Sequence, residues 1–239
     1  MTAATEFHLR RSSRAKRTRI VVKPGRVEVV APPKVPERQI QAFVAAQQDW
    51  IRAALRRVAE KTRPAPAWAP ALYSDGAAVP YLGERIPLRI ETAARKTVGV
   101  ELRDGSGFHV RMPAGETGDE SERIRLALGD WMKRQARIQA LHWIERHAPR
   151  HGLMPRAVRI KTQKSRWGSC GPKNDINLNW LLMLAPPAAL EYVVVHELCH
   201  IRHKNHSADF WQLVEAHLPN YREQRLWLKQ HGAAIMQGL

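Results

Sequence analysis

The sequence predicts an α+β fold, with a β-rich N-terminal half over residues 1–116 and a helix-dominated half over residues 117–239. Three observations predict it. Short apolar runs interrupted by Gly and Pro dominate the first half, as strands and tight turns require. Apolar residues at helical spacing dominate the second. Strands and helices also come in blocks, without the strict strand–helix alternation of a parallel α/β sheet.

The first elements are two β-type runs, 19–23 and 26–30, flanking Pro24-Gly25, which reads as a hairpin. From Pro36 to Lys61 one helix is expected. Its apolar stripe is Ile40, Phe43, Val44, Ile51, Leu55 and Val58, with Trp50 beside it. The Pro-rich residues 63–71 read as a linker. Strands follow at 79–82, 86–90, 98–102 and 108–112, with turns at Gly83-Glu84, Asp104-Gly105 and Gly107. A long amphipathic helix is expected over 117–147, burying Ile124, Leu128, Trp131, Ile138, Leu141 and Ile144. Strands at 158–161 and 176–180 bracket a polar loop at 164–174; Pro186-Pro187 opens a helix running to about Arg202, and two more helices cover 207–217 and 221–236.

The 239 residues carry 39 Lys+Arg against 22 Asp+Glu, a formal charge of +17. The densest basic run is Arg10, Arg11, Arg14, Lys16, Arg17, Arg19, Lys23 and Arg26, with no acid among them. Such an arm either binds phosphate chains by counterion release or is a solvated lead into the first strand. A nucleic acid is therefore one partner to consider. No apolar run approaches the ~18 residues of a membrane span, no secretory signal is evident, and two cysteines make no disulfide scaffold. A cytoplasmic location with no membrane partner is the expectation.

The chemistry concentrates at His196-Glu197-Leu198-Cys199-His200. Two histidines four apart in a helix project from one face, one turn apart, and can share a metal ion. Glu197 sits beside the first of them, placed to take a proton from an attacking water, whose pKa a bound zinc lowers toward about 7. For this composition such a pentapeptide arises by chance about 0.03 times per chain. The apolar Tyr192-Val193-Val194-Val195 before it points to a buried helix, where histidines need partners. A catalytic zinc takes three protein ligands, and His203, His206, His217, Glu215 and Glu223 stand downstream. In a straight helix His203 lies ~10 Å from His196 along the axis. His206 becomes reachable if the helix ends near His203 and the chain turns back at Lys204-Asn205. His206 is the expected third ligand and Glu215 the alternative.

Taken together, Lys164–Cys170, Ile176-Asn177-Leu178-Asn179-Trp180, the His196–His200 motif with the apolar residues before it, Asn205-His206-Ser207 and Phe210-Trp211 resemble the YgjP-like metallopeptidase family, related to the SprT-like and WLM zincins. The resemblance runs from about Arg14 to Leu228. It implies a zincin-like catalytic half, Zn2+ on His196, His200 and His206, and Glu197 as catalytic base.

The expected function is thus a zinc-dependent hydrolase, a metallopeptidase acting on peptide or protein substrates. The alternatives are a phosphoanhydride or nucleotide hydrolase on the same site, and a nucleic-acid-associated protein holding zinc structurally. Residues 176–180 are expected as the edge strand that receives a peptide. Arg166 could bind a substrate carboxylate or phosphate, and Trp167 could line the cleft or pack in the core. Tyr221, Arg222 and Arg225 either supply an oxyanion donor or are structural, and none of them is assigned, while Cys170 and Cys199 are expected to be structural.

Overall fold

The structure is a computed structural model that describes residues 6–62, 68–115 and 118–239. Among them it shows ten strands in three small sheets and six α-helices, an α+β architecture. The chain forms two compact units, Met1–Pro64 and Ala65–Leu239. The division expected near residue 116 falls inside the second unit, and the first five residues of the expected linker, 63–67, lie outside the described residues.

In the first unit, strands β1 (His8–Arg11), β2 (Arg19–Lys23) and β3 (Arg26–Ala31) form a sheet ordered β1-β3-β2. The β2–β3 hairpin turns at Pro24-Gly25, where Gly25 takes φ 69°, a conformation that favours glycine. Part of the basic arm is therefore a strand, β1, parallel to β3. The expected single helix is two, α1 (Glu37–Ala46) and α2 (Gln48–Thr62), broken at Gln47 (φ −108°, ψ 13°). A straight helix of that length would run nearly 40 Å, twice the ~20 Å that six-residue strands span. The break keeps Ile40, Val44 and Ile51 in one core with Val27, Val29 and Ala31. Phe43 and Trp50, predicted on or beside the stripe, stay 36% and 46% exposed.

The second unit opens with strands β4 (Ala78–Tyr81), β5 (Glu84–Ala93), β6 (Gly99–Arg103) and β7 (Gly107–Pro113), ordered β4-β5-β7-β6. The β4–β5 turn hooks onto the other half of the unit. The Leu82 N–H donates to the Met183 carbonyl (2.7 Å), and Gly83 takes φ 85° against Pro186. This docking puts Val79, Leu88, Phe108 and Val110 in the same core as the helices.

Helix α3 (Glu120–His147) starts where the Asp119 side chain accepts the Glu122 N–H. Its buried positions run nearly by fours: Ile124, Leu128, Met132, Ala136, Ala140 and Ile144. Ile138 and Leu141, predicted to be buried, are instead 58% and 36% exposed. Two alanines occupy the buried stripe, so an apolar residue count alone misplaced its second half.

Strands β8 (Ala157–Lys161), β9 (Gly168–Cys170) and β10 (Asp175–Asn179) follow, ordered β8-β10-β9. Strand β10 is central, parallel to β8 and antiparallel to β9, which corrects the expectation that it is an edge. The edges are β8 and β9, the latter drawn from what the sequence presents as a polar loop. Trp180 leaves the strand to open a 3-10 turn, Trp180–Leu184. Three helices complete the chain: α4 (Pro187–Arg202), α5 (Ala208–His217) and α6 (Tyr221–Ile235). No helix among the described residues is long and apolar enough to cross a membrane.

Candidate metal centre

Helix α4 is buried nearly all round, with Val193, Val194, Val195, Leu198 and Cys199 in the core, so its position is fixed by packing. It presents His196 and His200 one turn apart, ring centroids 4.8 Å from each other. The helix ends at Arg202, and His203 leaves it in extended backbone (φ −117°, ψ 105°). The chain reverses through Lys204-Asn205. There Asn205 Oδ1 accepts the Ser207 N–H (3.2 Å), and Ser207 caps α5. That reversal brings His206 back, its Nε2 3.1 Å from Nε2 of His196.

Ligand atoms of His196, His200 and His206 all lie within 4.8 Å of one another. The His203 carbonyl can only accept, so its 2.9 Å contact with Nδ1 of His200 puts the proton there and leaves the Nε2 lone pair free. Burial is the main force holding His196 down to about 3, aided by the neighbouring imidazoles. Burial also lowers His200. Both stay neutral and able to donate a lone pair. Phe210 stacks on His200 (4.5 Å, 27°) and Trp211 on His206 (5.6 Å, 28°), which fixes the ring planes.

These residues fit a tetrahedral divalent ion. Zn–N distances of about 2.0–2.1 Å imply nitrogens about 3.3 Å apart, close to the 3.1 Å between His196 and His206. His203, the residue that would prolong the helical series, contributes its carbonyl instead of its ring.

Glu197 follows His196 and is buried, with Oε2 lacking any partner among the described residues. Burial pushes its carboxyl up to about 8, against the pull of Arg166. Strand β9 packs straight onto it: a Cβ on Gly168 would sit 2.6 Å from Glu197 Oε1. Only glycine leaves room for the carboxylate there.

A three-histidine cluster with an adjoining buried glutamate is the setting in which the comparisons with known proteins can be weighed. The sequence matches the family described as YgjP-like, metallopeptidase domain over residues 16–231. The chain belongs to that family. Membership makes it a metallohydrolase and implies a divalent metal, for which the histidine cluster supplies donors. Among curated proteins, the UTP pyrophosphatase of Escherichia coli (strain K12) is 33% identical over 84 residues, 33% of this chain and 50% of that protein. The match therefore spans half the length of that relative. Among solved structures, the metallopeptidase zymogen of Pyrococcus abyssi abylysin is similar over 38% of this chain and 93% of its own, at 21% identity and a TM-score of 0.35.

In this YgjP-like chain a cavity of about 380 Å³ opens beside His196 and Glu197. Arg166, Trp167 and Gly168 form one wall, Tyr192 and Val193 the floor, and Arg225, Leu228 and Lys229 the opposite wall. Three cations face a space whose one acid is Glu197. Trp167 both lines the cleft and packs on Gly232, which answers the alternatives posed for it. Arg225 lies over the Trp211 ring (4.5 Å), itself stacked on Tyr221.

Other expected residues fall elsewhere. Arg222 pairs with Glu215 (2.8 Å), which takes up the alternative ligand and turns that arginine away from the cavity. His217 is buried among His147 and His151. Cys199 is fully buried, its thiol pushed up to about 12, while half-buried Cys170 lies 3.7 Å from Lys204 Nζ. Asn179 faces no substrate: its amide donates to the carbonyls of Gln163 (2.8 Å) and Arg166 (3.2 Å). Sequence reasoning missed Gly168, Tyr192 and Lys229. The last had a readable signal, since Arg225 and Lys229 are four apart on one face of α6.

Proposed function

We propose that this protein is a zinc-dependent phosphoanhydride hydrolase that takes a nucleoside triphosphate and releases pyrophosphate. The observation that carries the reading is the trio Arg166, Arg225 and Lys229 around a cavity of about 380 Å³ beside the histidine cluster. None of the three pairs with a carboxylate among the described residues, so their charge is available to a polyanion. The name of the half-length relative, UTP pyrophosphatase, supports the same substrate class.

His196, His200 and His206 would hold the ion. Zinc there supplies Lewis acidity and brings the pKa of water toward about 7. Glu197, buried beside His196 with Oε2 unpartnered among the described residues, would take the proton of the attacking water at that oxygen. The new bond joins that water oxygen to the α-phosphorus, and the bridging bond to the β-phosphate breaks. Arg166, Arg225 and Lys229 neutralise the departing pyrophosphate. Trp167, half-buried on the cavity wall, offers aromatic surface for the base.

A second reading keeps the site and changes the substrate to a peptide bond. It is favoured by the family description and by β9, a short edge strand beside Glu197 that an extended peptide can pair with. The test is pyrophosphate release from UTP and the other nucleoside triphosphates by zinc-loaded protein, run beside a mixed peptide library. Nucleotide turnover lost in Glu197→Gln, with KM raised about tenfold in Arg225→Ala for the ~1.4 kcal/mol of one charged contact, supports the proposal. Glu197-dependent peptide cleavage without nucleotide turnover replaces it with the second reading.

A further inference from the structure

The histidine cluster lies in the second compact unit, yet the first holds most of the charge. Residues 1–64 carry 15 Lys+Arg against 5 Asp+Glu, +10 of the +17 total. The structure sorts the basic arm into two groups. Arg10 and Lys23 both bind Glu28, which their hydrogen bonds hold down at about 2, and Arg11 donates to the carbonyls of Pro32, Pro33 and Val35. Those three are part of the scaffold.

The other group is the connection between β1 and β2. The Ser12 N–H donates to the Ala31 carbonyl (3.0 Å), and the Ala15 N–H closes a turn on the Ser12 carbonyl (3.1 Å). The connection is thus pinned to the central strand. Arg14, Lys16 and Arg17 from the connection and Arg19 from the start of β2 surround a concavity of about 260 Å³, all four exposed and none paired with an acid among the described residues. Like charges gathered around one hollow repel each other, so the arrangement costs free energy until an anion fills it.

We propose that this loop is a nucleic-acid binding site, gripping the phosphodiester backbone through Arg14, Lys16, Arg17 and Arg19. Regularly spaced phosphates suit four cations on a pinned loop, and arginine forks take phosphate oxygens two at a time. The loop offers no aromatic ring and no acid to read a base, so the contact is independent of sequence. The inference does not depend on the reading of the metal centre, because the loop belongs to the other compact unit.

The test is fluorescence anisotropy of the full-length protein with a labelled single-stranded RNA of mixed sequence and a labelled DNA duplex. Titrations are run at 50 and 200 mM KCl. Four phosphate contacts predict an affinity loss between those salts of about 50-fold for the single strand and about 150-fold for the duplex. The triple variant Arg14→Glu, Lys16→Glu, Arg17→Glu should lose at least 30-fold in affinity at the lower salt. A control with the same charge change on exposed residues of that unit, Lys34→Glu, Arg38→Glu, Arg57→Glu, should lose far less. Unaltered circular dichroism and thermal melts in both variants establish that they are folded. Equal losses in the two variants overturn a localised site. Unchanged binding in the loop variant overturns the proposal, as does tighter binding to phosphatidylserine vesicles than to either nucleic acid.

Discussion

Replacing Gly168 by Ala tests the geometry of the metal centre more sharply than removing any of its polar groups. The added methyl would lie 2.6 Å from Glu197 Oε1 and 2.7 Å from its Cγ. Ordinary carbon–oxygen contact begins ~0.6 Å further out, and both partners are held, β9 by its pairing with β10 and Glu197 by a buried helix. The carboxylate must move by roughly that amount. A misplacement near 1 Å costs about 100-fold in rate, so kcat should fall about 10- to 100-fold, some 1.4–2.8 kcal/mol in barrier. KM should change little, because Arg166, Arg225 and Lys229, the proposed substrate contacts, are not displaced. Overpacking should lower stability by about 1–3 kcal/mol. The assay is steady-state turnover beside a thermal melt and a zinc determination, with zinc content expected to stay at the wild-type value. Shortening the acid in Gly168→Ala/Glu197→Asp should relieve the clash and leave a double variant less impaired than the two single losses combined. Full kcat in a stable, zinc-loaded Gly168→Ala protein would refute the reasoning.

Glu197→Gln should keep zinc and lose turnover by about 10²- to 10⁴-fold, the usual worth of a positioned base; metal analysis with a rate assay checks both halves. His206→Ala should lose zinc while His203→Ala keeps it, since His203 acts through its carbonyl, and equilibrium dialysis against zinc separates the two. His217 gives an acid sensitivity remote from the metal. Burial first, and the charges of His151 and His147 next, lower it to about 4, below an unfolded value of about 6.5. Its neutral form therefore stabilises the fold fully above pH 6.5, and the contribution is lost as pH falls from 6.5 toward 4. Urea melts from pH 7.5 to 4 should show that fall, and His217→Phe should flatten it; an unflattened profile assigns the acid lability to other groups.

The legibility of the site in the sequence followed the length scale of each interaction. The His196–Glu197–His200 spacing is local and could be read directly. His206 needed one further inference, a chain reversal at Lys204-Asn205, because the helix path itself excludes a third ligand along a straight line. The edge strand was misplaced for a different reason. Residues 168–170 are Gly-Ser-Cys, with no alternation to mark a strand, and their extended form comes from pairing with 176–178. The exposed Ile138 and Leu141 belong to the same class of miss, since burial along α3 depends on what packs on Ala136 and Ala140. Gly168 was visible as an unusual residue in a polar loop, but its purpose depends on Glu197, 29 positions away in the chain.

Asn179 ties the loop ahead of β9 to the middle of the sheet. Its amide holds the carbonyls of Gln163 and Arg166, and its backbone N–H donates to the Trp167 carbonyl (2.8 Å). Every one of those anchors is a main-chain atom. The position of residue 166 over the cavity is thus set independently of the side chain it carries. Under the proposed function, exchange of that side chain would retune which anion is accepted while the loop keeps its course, so substrate range and foldability would be inherited at separate positions.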